Sequence, residues 1–268
     1  MAYMADHLPL RRDPRQLLPG AQSVIACALS YRRPNPARPG YPRIATYALG
    51  RDYHKVLRAK LRRIGRVLAA HSGAAWRACV DSAPLMEREY AHRAGLGWFG
   101  KNTCLIDSRS GSYFVLGFLL TDAWLAPDRP SLGGCGTCRL CVEACPTGAI
   151  VARDGVWQIE SGRCVSYLTI EHQGPIPEEL EDGVGDWTFG CDVCQDVCPF
   201  NQTRPSQPDR APETREPDFR EDRRWPTLDE LAVIEQEAWD RLTVGSAVRR
   251  AGLEGLRRNA RVNIANRR

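Results

Sequence analysis

The 268-residue chain is 43% hydrophobic and 26% charged with both signs mixed, a composition of globular proteins with room for one core and an appended module. No run of about 18 apolar residues is present to span a bilayer, and Met1–Leu18 carries scattered charges where a secretory signal would have an apolar block, so neither a membrane nor an exported role is expected and a cytoplasmic one is. The net charge of +5 is mild, yet seven arginines face the single acid Glu254 between Arg249 and Arg268, and Arg58, Lys60, Arg62, Arg63 and Arg66 form a second basic cluster. Such patches suit either a solvated helix face or a polyanion.

In chain order, Ser23–Ser30 (SVIACALS) is a short, apolar, partly β-branched run that suits a buried strand. From Tyr53 the apolar positions Tyr53, Leu57, Leu61, Ile64 and Leu68 recur at steps of four and three, one face of an amphipathic helix with basic residues opposite. Arg77–Val80 and Tyr113–Thr121 read as further strands, and between them Pro84, followed by Leu85, Met86, Glu87 and Glu89, opens a helix that Gly95 closes. This alternation predicts an α/β (or α+β) layer over residues 1–126. Pro127–Gly134 is a turn-rich boundary. Residues 127–203 combine most of the cysteines with short helical stretches and little continuous apolar sequence, so metal clusters take the place of much of a core. Residues 204–268 begin as a connector with five prolines between Arg204 and Pro226 and end in a basic helical segment from Thr227.

The cysteines carry the chemistry. Cys135, Cys138, Cys141 and Cys145-Pro146 give C-x-x-C-x-x-C-x-x-x-C-P, the run of ferredoxins that carry two clusters. Cys191, Cys194 and Cys198-Pro199 repeat it without the first cysteine, and Cys164 upstream fills that vacancy. Tight C-x-x-C turns aim several thiolates at one cubane, while the cysteine three residues further on leads away to the neighbouring one. Ligation therefore crosses over: Cys135, Cys138, Cys141 and Cys198 hold one [4Fe-4S] cluster, and Cys145, Cys164, Cys191 and Cys194 the other. In a reducing cytoplasm such spacings are metal ligands before they are disulfides. Structural zinc also uses C-x-x-C pairs, but it has no need of the third closely spaced cysteine or of two C-P endings. Cys27, Cys79 and Cys104 lie in or beside apolar stretches and read as core residues. Two clusters make a one-electron wire, and the layer ahead of them is too large for a cap. The physical reading is a redox enzyme whose second cofactor or substrate docks between the layer and the cluster domain.

Four segments, RIATYALGRDYH (Arg43–His54), VDSAPLMERE (Val80–Glu89), AGLGWFGKNT (Ala94–Thr103) and CVSYLTIEHQGPIP (Cys164–Pro177), together with the cysteine pattern closely resemble the epoxyqueuosine reductase family through most of the chain. The resemblance implies a cobalamin on the α/β layer, which makes residues 1–126 the catalytic domain, and two [4Fe-4S] clusters feeding it from a ferredoxin-like domain. It implies a tRNA substrate whose modified anticodon wobble base carries an epoxide that is reduced to an alkene with loss of water. It also identifies Asp81 as the proton donor, a role that loss of a poor oxygen leaving group requires. A nearby helix N-terminus favours ionised Asp81 whereas a donor needs burial or a neighbouring charge, and the sequence leaves open which wins. Helix capping is the other use of such an aspartate.

On the same resemblance Asp81, Lys101, Asn102, Leu105, Ser166 and Asp192 are expected around cobalamin, with Gly95, Gly97 and Gly100 letting backbone approach the macrocycle. His172 would reach the substrate base or serve as a structural hydrogen-bonder, and no histidine sits in a motif that marks an axial cobalt ligand. The arginine-rich end, Arg249-Arg250 and Arg257-Arg258-Asn259-Ala260, matches the family and points toward phosphate contact. An unidentified electron donor and a monomeric state complete the expectation. Relative to the family, the chain begins inside the usual N-terminal segment and ends where many members continue into helical repeats. Two other functions compete: a dehalogenase-like cobalamin reductase, which would carry a twin-arginine signal, and a non-catalytic ferredoxin-like electron carrier, which leaves Asp81 unexplained.

Overall fold

The computed structural model describes residues 7–203, 205–221 and 223–267; Asp6, Arg204 and Arg268 lie outside the described residues. In chain order the first half holds α1 (Leu8–Arg12), β1 (Ser23–Ser30), β2 (Arg43–Ile44), α2 (Tyr53–Ser72), β3 (Trp76–Cys79), α3 (Glu87–Arg93), β4 (Trp98–Phe99), β5 (Leu105–Ile106) and β6 (Phe114–Thr121). The second half holds α4 (Leu140–Ala144), β7 (Ile150–Arg153), β8 (Val156–Ile159), α5 (Val165–Ile170), α6 (Glu178–Val184), β9 (Trp187–Phe189), α7 (Val193–Asp196), α8 (Pro217–Arg220), α9 (Leu228–Ala232), α10 (Gln236–Thr243) and α11 (Gly252–Ala265). Among the described residues no helix is long and apolar enough to cross a membrane.

The main sheet has the order β1-β6-β3, with β6 antiparallel to both neighbours. β1 and β3 are therefore parallel to each other and joined by α2, a β-α-β crossover split by an inserted strand. That topology explains why the sequence reads as α/β although every pairing in this sheet is antiparallel. The two-residue alternation of β6 divides its side chains between two layers. Leu119 packs with Leu57 and Leu61 of α2, whereas Phe118 and Leu120 pack with Leu85 and Ala91 beside α3. Helix α2 starts where the Asp52 side chain accepts from the His54 N–H and stops at Gly73, whose φ of 69° few other residues adopt.

A second core lies on the other side of the cysteine segment. β2 pairs in parallel with β9; Ala45 packs with Val165, Leu168, Val184, Trp187 and Val262, and Ile44 with Phe189, Leu228, Leu231 and Leu256. The C-terminal helices thus close over the same seam as residues 44–48. The proline-rich stretch is a strap: Thr214 donates through N and Oγ1 to Arg32 O and Ser30 O, and Phe219 is buried with Tyr31, Val56 and Tyr113. Buried amides pin the cysteine segment to the sheet. Asn201 Oδ1 accepts from Ser112 N at 2.6 Å, and Gln195 Nε2 donates to Ser112 O at 2.9 Å.

Candidate functional site

Eleven free cysteines are present, and eight of them lie in one neighbourhood, with Cys194 acting on members of both sets. Burial raises the Cys141 thiol to about 11, with the charges of Cys194, Cys135, Cys198 and Cys138 adding to the shift. Burial likewise raises Cys164, with Cys194 and Cys145 adding, and Cys191, with Cys194 and Cys164 adding. Four thiolates held this close in a half-dry environment repel one another unless cations lie between them, which is the service iron performs in a cubane. Backbone N–H groups are aimed at the sulfurs: Ala149 at Cys145 at 3.3 Å, and others at Cys164, Cys191 and Cys198. Trp98, packed with Cys198 and Cys135, has a buried indole N–H with no partner among the described residues, for which a cluster sulfur is a fitting acceptor.

Asp81 follows β3 on a loop whose geometry depends on side chains. Its φ of 49° lies in the left-handed region that aspartate tolerates, and its N–H donates to Glu87 Oε1 at 2.6 Å. The carboxylate is 58% exposed, with Oδ2 at 3.1 Å from His54 Nε2; His54 Nδ1 lies 2.7 Å from Asp52 Oδ1, and the Tyr53 ring stacks on the imidazole at 4.0 Å. The hydrogen bond from His54 holds Asp81 below its ordinary range, overriding burial. Burial opposes charge on His54, but its bonds to Asp52 and Asp81 lift it to about 9. Burial pushes Glu87 up to about 7. The electrostatic question that the sequence left open is thus decided by a residue 27 positions upstream: the resting carboxylate is ionised and its partner holds the proton.

Tyr47 connects this end to the clusters. Burial raises its phenol, and the charges of Asp192, Asp81, Glu171 and Asp52 add. Asp192, 2% exposed, accepts from both Thr46 N and Thr46 Oγ1 at 2.7 Å, and burial pushes it to about 6. Asn102 Nδ2 donates to Cys194 O at 3.3 Å, and Ser166 offers its N–H to Cys164. Cys104, read from the sequence as core, is partly buried, its N–H donates to Asn102 Oδ1 at 3.2 Å, and it lies near enough to Cys194 to raise that thiol. No spacing rule marks Cys104, because Cys194 lies 90 residues away.

The remaining sequence candidates are placed as follows. Lys101 Nζ donates to Gly136 O and Cys138 O, both at 2.8 Å, so it braces the loop of the first cysteine set. Leu105 is 4% exposed and belongs to the core around Phe118. The glycines admit the chain itself: a Cβ on Gly97 would lie 2.4 Å from Ile106 O, and one on Gly100 2.5 Å from Ile106 Cδ1. His172 Nε2 lies 2.8 Å from Pro175 O, the structural alternative. The arginine-rich end is engaged internally. Arg258 donates to Leu168 O, His172 O and Gly174 O, Arg257 to Ile234 O, and Arg250 grips Glu171 with two bonds of 2.9 Å.

Cysteine geometry and fold together define a two-cluster iron–sulfur protein, and residues 134–201 match the 4Fe-4S double cluster binding domain. Residues 11–82 match the epoxyqueuosine reductase QueG model, DUF1730. The epoxyqueuosine reductase of Xanthomonas campestris pv. campestris is 41% identical over 278 aligned residues, which cover 99% of this chain and 75% of that relative. That of Escherichia coli K12 is 42% identical over 275, covering 99% and 70%. A crystal structure of epoxyqueuosine reductase with an epoxyqueuosine-modified tRNA-Tyr stem loop superposes with a TM-score of 0.82 at 31% identity, covering 94% of this chain and 67% of that one. The Bacillus subtilis enzyme, with its catalytic aspartate loop swung out of the active site, gives 0.82 at 30% identity, covering 97% and 68%. The chain belongs to the epoxyqueuosine reductase family of iron–sulfur oxidoreductases.

Proposed function

We propose that this chain reduces epoxyqueuosine to queuosine at the wobble position of tRNA, with electrons arriving singly through two [4Fe-4S] clusters at a cobalamin on the sheet layer. Cys135, Cys138, Cys141 and Cys198 hold one cluster, and Cys145, Cys164, Cys191 and Cys194 the other. The observation that carries the reading is the position of Asp81. Its half-exposed carboxylate meets His54, on which Tyr53 stacks, and Tyr47 packs edge-on against Tyr53 at 5.8 Å and into the same core that takes in Cys191 of the second cysteine set. An acid at one end and an electron source at the other is the arrangement that reductive loss of an epoxide oxygen needs.

Cobalamin, when bound, supplies the reducing centre that meets the substrate. Asn102, Ser166 and Asp192, polar and adjacent to the second cysteine set, fit its periphery on the cluster side, and Asp81 faces it from the layer. Lys101 and Leu105 contribute through the loop and core that hold these residues in place. Asp81 directs a proton to the leaving oxygen, and His54 Nε2, 3.1 Å from Oδ2, keeps the carboxylate from turning away.

The test is turnover of tRNA bearing epoxyqueuosine by the anaerobically reconstituted protein under strong reductant, with and without cobalamin, scored by nucleoside mass spectrometry. Product formed only with cobalamin supports both cofactor and reaction. Asp81→Asn is expected to keep iron and cobalamin while losing roughly 10²–10⁴-fold in rate. No product from wild-type protein with full iron and bound cobalamin would exclude this substrate.

A further inference from the structure

Reducing an epoxide to an alkene takes two electrons and two protons, and both protons end on the same oxygen, which leaves as water. A carboxyl group delivers one proton at a time, and the Asp81 carboxylate is ionised at rest, because the hydrogen bond from His54 holds it so. The proton needed by the reaction is therefore stored elsewhere. The group in contact with Asp81 Oδ2 is His54 Nε2, at 3.1 Å, and the far side of that imidazole is fixed by Asp52 Oδ1 at 2.7 Å from Nδ1. Asp52 is itself held as the N-cap of α2, where it also accepts from the His54 N–H at 3.0 Å. The stacked Tyr53 ring leaves the imidazole one orientation.

We propose that His54, oriented by Asp52, is the proton reservoir that reloads Asp81, so that the His54–Asp81 pair makes both proton deliveries to the leaving oxygen. The inference rests on the reaction proposed above. Substrate docking removes water from the exposed face of Asp81, and loss of water favours a neutral pair over an ion pair. The Nε2–H bond then breaks and the Oδ2–H bond forms. As the first C–O bond opens with electrons supplied through the clusters, Oδ2–H breaks and O–H forms on the former epoxide oxygen. His54 takes a new proton from solvent and passes it on as the second C–O bond breaks and water departs. The balance is two electrons from the external one-electron reductant, two protons from solvent by way of His54, and one water.

The charged and titratable groups facing the pair come from several elements. Asp52 and Tyr53 belong to the start of α2, Glu87 opens α3 with Arg11 acting on it, and Tyr47 and Arg250 approach from the second core. Glu87, raised to about 7, accepts from the Asp81 N–H and so sets the loop that carries the carboxylate. His54 acts through Asp81 and is a positioning and proton-supplying residue in this scheme.

The experiment uses the reconstituted full chain. His54→Gln is expected to match wild type in iron content, corrinoid binding and stem-loop affinity, to fall at least roughly 100-fold in single-turnover rate, and to lose the basic limb of its pH–rate profile near 9. Asp52→Asn keeps the ring and should move that limb to lower pH without abolishing turnover. An independent readout is ¹⁵N NMR of the imidazole, expected to titrate near 9 in wild type and closer to the ordinary 6.5 in Asp81→Asn. A wild-type imidazole titrating near 6.5, or a His54→Gln profile that overlays wild type, overturns the proposal. Failure of wild-type turnover would remove the reaction, whereas the NMR titration judges the pair by itself.

Discussion

Asn259→Ala tests how the second cysteine set is held from a distance. Asn259 is fully buried on α11, and its Nδ2 donates to Thr169 O at 2.8 Å and Thr188 O at 2.9 Å while Oδ1 accepts from Arg258 Nε and Nη2 at 3.0 and 2.8 Å. Thr169 lies on α5, whose N-terminus is Cys164, and its Oγ1 accepts from Gly190 N, one residue before Cys191. One amide therefore ties the segments that carry Cys164 and Cys191, two ligands of the same cluster in the proposed assignment, to the C-terminal helix. Two neutral bonds contribute about 1 kcal/mol each and the guanidinium contact about 2, so the truncation costs about 4 kcal/mol, with two buried carbonyls left short of a donor. For a chain of this size the melting temperature falls by roughly 10 °C. Thermal unfolding of the holoprotein by circular dichroism gives the first number, and iron analysis with EPR of the reduced protein shows whether one cluster departs before the other. A variant that melts with wild type and keeps its iron on prolonged incubation would refute the reasoning, since no other described side chain bridges α5 and β9 in this way.

Two further outcomes bear on the layer that carries Asp81. Gly65 on α2 faces the Trp76 ring so closely that a Cβ would lie 2.3 Å from Cδ2; Gly65→Ala gains helix propensity but overpacks, and a net loss of about 1–2 kcal/mol in urea unfolding is expected. Because His54 is raised from 6.5 to about 9 in the fold, its stabilising contribution is full below pH 6.5 and disappears as pH rises through 9. With half-exposed Asp81 screened by water, that contribution is roughly 2 kcal/mol, so the stability gap between wild type and His54→Gln should close between pH 6.5 and 9.5, and a gap constant with pH would contradict the pairing.

The parts of this architecture that were legible in the sequence are those whose signal is local. Cysteine spacing is a local code, so the eight-cysteine arrangement could be read directly, and Ser23–Ser30 and Tyr53–Ser72 carry the periodicity of a strand and a helix. Pro84 misled: the helix begins at Glu87, because residues 81–86 are held as a loop by the Glu87 side chain reaching back to Asp81 N. The glycines around Trp98 looked like clearance for a ligand, yet the space they leave is filled by Ile106 of the same hairpin. Lys101 and the terminal arginines read as available to anions, and in the fold their donors also meet backbone carbonyls and, for Arg250, the Glu171 carboxylate, partners that no linear pattern reveals. His54 was missed for the same reason: it gains its meaning from one long-range partner, Asp81.

The two halves of the site are held by different physics, and the difference follows their tasks. Around the cysteines the chain is anchored by buried amides, N–H groups aimed at sulfur and C-terminal helices packed over the seam, a rigid setting that keeps electron-transfer distances constant. The Asp81 loop is anchored at its far end, where Leu85 is buried against Phe118 and Leu120, but its tip has none of that. Asp81 and Ser82 are exposed, the backbone at Asp81 is in the left-handed region, and the tip is fastened by polar contacts to His54 and Glu87. In the reaction proposed above, an acid that approaches a base on a folded RNA, delivers a proton and lets the product leave has to move between substrate-facing and open positions. Polar fastenings whose strength depends on where a few protons sit permit that movement, whereas apolar packing would resist it.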